Sequence, residues 1–209
     1  SVFVLSALSI QIGLSAKWML LLIPISVFIF LTELYRKKET PLTNIGLTFL
    51  AVLYLSIPFT LLHQSSYFDG FTFGEEYHYE IILGYFFLLW ANDTGAYFGG
   101  RSFGKHKLFE RISPKKTWEG SVGGALSGLL VGYLNSLMFP FMDLWIWLSL
   151  AGIVVVFGSL GDLVESLFKR SLQIKDSGNL LPGHGGILDR FDGVLISAPL
   201  VYVFLKLIA

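Results

Sequence analysis

The chain has 209 residues, of which 54% are hydrophobic, 16% aromatic and only 14% charged, and its formal net charge is zero. So little charge excludes disorder and argues against an ordinary soluble domain, where about a quarter of the residues are charged. With no cysteine, disulfides, thiolate metal sites and cysteine nucleophiles are excluded as well.

Seven apolar stretches are long enough, or nearly so, to cross a hydrocarbon core that needs about 20 residues. They cover 1–15, 18–35, 42–62, 79–98, 119–139, 144–165 and 191–208. The pattern predicts an all-α fold, a polytopic helical membrane protein with about seven transmembrane helices, forming one integral-membrane domain over 1–209. Pro24, Pro58 and Pro199 fall inside these runs, where membrane helices tolerate proline if neighbours satisfy the freed carbonyls. The first run opens the chain without a basic region or an initiator methionine. It reads as a helix continuing upstream and not as a signal peptide.

Thirteen of the fifteen Lys and Arg residues lie in three patches, Arg36 to Lys38, Arg101 to Lys116 and Lys169 to Arg190. Counting crossings puts all three on one face, opposite the acidic loop "YFDGFTFGEEYHYE". The positive-inside rule makes that face cytoplasmic. The first patch needs no role beyond topology, whereas the other two are too long and too varied for that alone.

Four polar groups interrupt or follow the apolar runs. In "WANDTGAYFGG", Asn92 and Asp93 sit about two turns inside the fourth span. A carboxylate there costs several kcal/mol unless it is paired or faces a polar cavity. Tyr97 lies one turn later on the same face, and Gly95, Gly99 and Gly100 permit close approach of a backbone or a ligand. The loop "GGRSFGKHKLFERISPKKTWEG" then holds Arg101, Lys105, Lys107, Arg111, Lys115 and Lys116 among Gly and Ser. Such cations suit a polyphosphate, although a basic loop can also lie on anionic headgroups. Thr117, with Glu119 and Gly120 following, is placed to cap the next helix and aim its N-terminus at an anion. The spacing is not that of a Walker loop.

In "GSLGDLVESLFKR", Asp162, Glu165 and Lys169 are spaced i, i+3 and i+7 and share a helix face beside Ser166. Asp162 emerges directly from "IVVVFGSLG", at the membrane edge. Last, "LPGHGGILDRFD" carries His184, Asp189, Arg190 and Asp192, with glycines such as Gly185 and Gly186 that let the backbone bend toward a ligand. Asp189 and Asp192 begin the final helix, where their charge opposes its positive dipole end. Carboxylates such as Asp162 and Asp189 bind Mg²⁺ one or two at a time, with phosphates and water completing the shell. Lysines and arginines neutralise phosphate. Together these are the components of phosphoryl or nucleotidyl transfer at a membrane surface.

The stretch "SLFKRSLQIKDSGNLLPGHGGILDRFD", from Ser166 to Asp192, resembles the signature of the phosphatidate cytidylyltransferases, the CDP-diacylglycerol synthases. "NDTGAYFGG", "SPKKTWEG" and "GDLVES" are similar to that family too. The likeness covers roughly residues 90–192, the expected catalytic region. Residues 1–80 resemble the family only as hydrophobic helical spans, and members usually carry more spans before the first one here. The resemblance implies conversion of CTP and phosphatidic acid to CDP-diacylglycerol and pyrophosphate, in phospholipid biosynthesis at the bacterial cytoplasmic (inner) membrane. It implies a Mg²⁺ requirement with K⁺ nearby, a homodimer and no nucleic-acid partner.

The family's metal-binding aspartates correspond to Asp162 and Asp189, with Glu165, Asp192 and Asp93 as further ligands or as carboxylates behind them. Lys115, Lys116, Lys169, Arg170, Lys175 and Arg190 are expected to embrace the triphosphate and the lipid phosphate. His184 is expected to position a phosphate or the metal cluster, and Asn92 and Ser113 to touch the nucleotide. Two other readings fit parts of the pattern. A CTP-dependent lipid-alcohol kinase would draft Asp93 or His184 as a base. An ion-coupled transporter would use Asp93 and Asp162 as cation sites, but such sites belong near the midplane of repeated halves, and this sequence shows no repeat.

Overall fold

The structure is a computed structural model that describes residues 20–37, 39–74, 76–174, 177–178, 186 and 188–209. Among these residues seven helical segments and one small hairpin succeed each other. They are α1 (Leu22–Arg36), α2 (Pro41–Ser65), α3 (Tyr79–Phe103), β1 (Lys107–Phe109), β2 (Ser113–Thr117), α4 (Trp118–Met138), α5 (Leu144–Ile153), a π turn (Val154–Gly158), α6 (Ser159–Ser171) and α7 (Leu188–Ile208).

Among the described residues four helical rods are long and apolar enough to cross a membrane: Pro41–Ser65, Trp118–Met138, Leu144–Ser171 and Leu188–Ile208. The expected run 1–15 lies outside the described residues. The second forms α1, and the fourth forms α3, where Asn92 and Asp93 dilute an otherwise apolar helix. Several helices outrun their apolar stretches: α3 continues to Phe103, α6 to Ser171, and α7 starts at Leu188. The i→i−4 ladder needs no apolar side chain to continue. The all-α expectation needs one correction. The basic loop contains an antiparallel pair of strands with partners Lys107↔Thr117 and Phe109↔Ser113. Strands of three and five residues carry too little alternation to be legible in sequence.

Helix α3 packs most extensively on α4, α7 lies on α2 and α6, and α4 also contacts α5. Glycine allows the α3–α4 approach: a Cβ on Gly123 would stand 2.6 Å from the Gly95 carbonyl oxygen and 3.2 Å from the Gly99 Cα. Trp147, Tyr85, Phe68, Ile81, Leu88, Leu150, Val154, Val194 and Val201 fill the centre. Polar atoms inside need partners away from water, and two contacts between helices supply them. Tyr85 Oη and Ser197 Oγ are 2.6 Å apart, and Asn135 Nδ2 donates to the Gly84 carbonyl at 3.1 Å. Leu126, Leu130 and Leu137 on α4 and Leu50 and Leu53 on α2 point outward, as hydrocarbon-facing side chains do. At one end Glu33 of α1, buried, accepts from Asn44 Nδ2 at 2.6 Å, which ties α1 to α2.

Helices α5 and α6 form one continuous rod of 28 residues, Leu144–Ser171, through the π turn. A π turn inserts a residue into the helical register and re-aims the side chains beyond it, and such turns recur at functional sites. Here it stands immediately before Ser159 and Asp162.

Candidate active site

At the end of the bundle where α3 finishes and α4 and α7 begin, a cavity of about 620 Å³ opens. Helix α3 contributes Asn92, Asp93, Tyr97 and Arg101, and β2 contributes Ser113, Lys115 and Lys116. Ser159 and Asp162 enter from α6, and Asp189, Arg190 and Asp192 from α7. Residues as far apart in sequence as Asn92 and Asp192 thus share one space. Four of the lining side chains are carboxylates and four are cations, so the cavity is mixed in charge and not simply basic.

Lys116 joins three elements. Its Nζ lies 2.8 Å from Asp162 Oδ2 and donates to the Ser159 carbonyl at 2.9 Å. The Ser159 hydroxyl accepts from Asn92 Nδ2 at 3.3 Å, and Ser166 Oγ donates to Asp162 Oδ1 at 3.3 Å. Strand β2, α3 and α6 are thereby tied at one point. Ser159 is not among the residues that the sequence singles out. Its only signal is a hydroxyl three residues before Asp162, one turn away on the same face.

Asp189 is the most heavily engaged carboxylate. Its Oδ1 accepts from Lys169 Nζ at 2.6 Å. Its Oδ2 accepts from Ser177 N at 3.0 Å, Ser177 Oγ at 2.8 Å and Gly186 N at 2.8 Å. Asp189 therefore ties the loop after α6 to the first turn of α7, as well as facing the cavity. Lys169 is shared with Glu165, whose Oε1 is 3.1 Å away. Glu165 is 1% exposed and lies behind the cavity wall. Asp192 Oδ1 accepts from the neighbouring Gly193 N at 2.7 Å, and its carboxylate is within Coulombic range of Asp162, Glu165 and Asp93.

Thr117 caps α4 as its sequence suggested, its Oγ1 accepting from Gly120 N at 3.1 Å. Thr117, Gly120 and Ser121 line the cavity, so the positive end of the α4 dipole borders it. Glu119 does not complete the cap. It turns back to accept from Lys105 N at 3.1 Å and from His106 N at 3.2 Å, and its Oε1 is 2.6 Å from His106 Nδ1. Tyr97 Oη accepts from Arg101 Nη1 at 2.8 Å.

Of the residues expected at the site, Asn92, Asp93, Ser113, Lys115, Lys116, Asp162, Asp189, Arg190 and Asp192 line the cavity. Glu165 and Lys169 stand directly behind it. Gly186 contributes its N–H to Asp189 and not a wall. Arg170 does not line the cavity; its Nη1 donates to the Ile174 carbonyl at 3.4 Å. Lys175, His184 and Gly185 lie outside the described residues.

The donor set fits Mg²⁺. Asp93, Asp162, Asp189 and Asp192 present hard oxygen atoms to one space, and three of them repel one another at Coulombic range. Among the described residues no three acidic or imidazole groups already converge on a single point. Mg²⁺ does not require that, because it is commonly held by one or two carboxylates with water and substrate phosphate.

A bundle of apolar helices enclosing acids and cations in one polar cavity defines a membrane-protein class that works on charged ligands at the edge of its helices. The chain belongs to the cytidylyltransferase family, whose model matches residues 1–208. It is 41% identical over 185 residues to a phosphatidate cytidylyltransferase of Staphylococcus saprophyticus, a match that covers 88% of this chain and 68% of that protein. Proteins of the same name from Staphylococcus aureus and Staphylococcus haemolyticus are each 40% identical over the same shares.

Proposed function

We propose that this protein transfers the cytidylyl group of CTP to phosphatidate, forming CDP-diacylglycerol and releasing pyrophosphate, in phospholipid biosynthesis. The observation that carries the reading is the single cavity in which the pieces resembling the family, "NDTGAYFGG", "SPKKTWEG", "GDLVES" and "LDRFD", come together. The family match and the relatives' names support the same chemistry.

A phosphatidate oxygen attacks the α-phosphorus of CTP, the bond from that phosphorus to the bridging oxygen of the β-phosphate breaks, and pyrophosphate leaves with the electron pair. The attacking oxygen is already anionic near neutral pH, so no general base is needed. The difficulty is to bring two anions together and to stabilise the leaving group, which is a matter of position and electrostatics. Lys115, Lys116, Arg101 and Arg190 surround the cavity and are placed to hold phosphate oxygens. The N-terminus of α4 adds backbone dipoles at the same wall. Lys169 orients Asp189 from behind. Asp162 and Asp189, with Asp93 and Asp192 beside them, would hold Mg²⁺, which when bound supplies charge neutralisation between the substrates.

The site faces the cytoplasm in this reading, because the cations of Arg36, the hairpin and α6 gather at the same end of the helices, as the positive-inside rule requires. The bacterial relatives support a place in the cytoplasmic membrane.

Labelled CTP tests the reaction. With phosphatidate in nanodiscs, label from α-³²P enters the lipid and label from γ-³²P appears in pyrophosphate. Lipid labelled from γ-³²P means a kinase, and labelling from neither position removes the reading.

A further inference from the structure

The hairpin between α3 and α4 carries more charge than the cavity uses. Lys115 and Lys116 line the cavity, but Lys105, Lys107 and Arg111 do not. These three side chains are exposed, and none of them makes an ion pair among the described residues. Glu110, in the turn, is the acidic residue beside them. The other nearby carboxylate, Glu119, is engaged by Lys105 N, His106 N and His106 Nδ1.

Apolar rings flank these cations. Phe103 is 71% exposed, Phe109 47% and Trp118 59%. Open rings are poorly placed in water, and rings beside cations that no described carboxylate pairs suit a bilayer boundary, where aromatic bodies sit at headgroup level and basic side chains meet anionic lipid.

The depth of the hairpin agrees. The apolar run of α3 ends at residue 98 and the helix continues to Phe103, so the hairpin begins just beyond the apolar part of the helix, where a bilayer boundary would lie. The hairpin is also held in place, by the Glu119 contacts and by Trp118 N donating to the His106 carbonyl at 3.0 Å.

We infer that the β1–β2 hairpin is a docking surface for the anionic headgroup layer of the bilayer, with Lys105, Lys107 and Arg111 meeting lipid phosphates and Phe103 and Phe109 entering the acyl boundary. Where that lipid is phosphatidate, docking gathers substrate at the mouth of the cavity, a consequence that rests on the transferase reading.

The chain has no cysteine, so a Glu110→Cys variant takes a single spin label at the hairpin turn. Its accessibility to oxygen and to an aqueous nickel chelate is measured in full-length protein, without CTP. Nanodiscs of phosphatidylcholine are compared with discs containing phosphatidylglycerol or phosphatidate. Both anionic lipids are expected to move the label toward the lipid. Adding Lys105→Gln, Lys107→Gln and Arg111→Gln is expected to lower the docked-to-free ratio about tenfold or more. Equal water accessibility in neutral and anionic discs overturns the inference, as does a shift that survives the three substitutions. Dipolar broadening between labels would also overturn it, by showing that a second copy covers the hairpin. Because no CTP is present, failure here leaves the transferase reading standing, and a protein that docks without transferring label would fail only that reading.

Discussion

Gly161→Ala tests how closely the two acid-bearing helices must approach. Gly161 of α6 faces the start of α7, and a Cβ there would stand 2.5 Å from the Asp192 carbonyl oxygen and 3.2 Å from the Gly193 Cα. Both are backbone atoms, so no side chain can swing aside. Restoring ordinary contact requires α6 and α7 to part by about 0.9 Å, and overpacking of this kind costs about 1–3 kcal/mol. Asp162 lies one residue from the clash on α6, while Asp189 and Asp192 ride on α7. Misplacement of reacting groups by about 1 Å costs roughly 10²-fold in rate. Turnover of α-³²P CTP with phosphatidate in nanodiscs should therefore fall about 100-fold, together with the melting temperature. The sign of the thermal shift is diagnostic. Without a clash, exchanging glycine for alanine inside a helix stabilises it by about 1 kcal/mol. A raised melting point with near-normal turnover would refute the close-approach reasoning.

Other substitutions separate chemistry from scaffold. Asp162→Asn should lower turnover by at least about 10²-fold and cost no more than about 1 kcal/mol of stability, since its pair with Lys116 is partly exposed; normal turnover would remove it from the metal site. Asp189→Asn should lose turnover and also roughly 2 kcal/mol of stability, because Lys169 keeps Glu165 but loses its second carboxylate and the charge-assisted bonds from Ser177 and Gly186 weaken; a melting curve like that of Asp162→Asn would contradict the anchoring role of Asp189. Tyr85→Phe should cost about 1 kcal/mol by removing the buried contact to Ser197 and leave turnover unchanged, so a kinetic defect would place that contact within the machinery. Chelation of divalent ions should abolish labelling, and Mg²⁺ should restore it; activity persisting in chelator would eliminate the metal from the reaction.

Much of this molecule is legible without its structure. Long apolar runs announce helices in a membrane because a spanning segment must satisfy its own backbone hydrogen bonds. Asp93 and Asp162 stand out because charge within or beside such runs is costly without a purpose. The cap at Thr117 is legible from local order, since capping is decided within three residues. Periodicity also places Asp162, Glu165 and Lys169 on one helix face.

Periodicity cannot divide their tasks, which needs a neighbour. Asp162 borders the cavity, while Glu165 and Lys169 pack toward Asp189 behind it. Similarly, "ERISPKKT" reads as a loop until β1 pairs with β2. The π turn just before Ser159 shifts the helical register by one inserted residue and leaves no compositional trace, and the ties of Ser159 to Asn92 and Lys116 join segments far apart in sequence. Hydropathy and spacing are local properties, so the sequence alone determined which segments are helical and which charges are out of place. Which of those charges share a cavity depends on how α3, α6 and α7 cross, and only close packing of distant segments decides that.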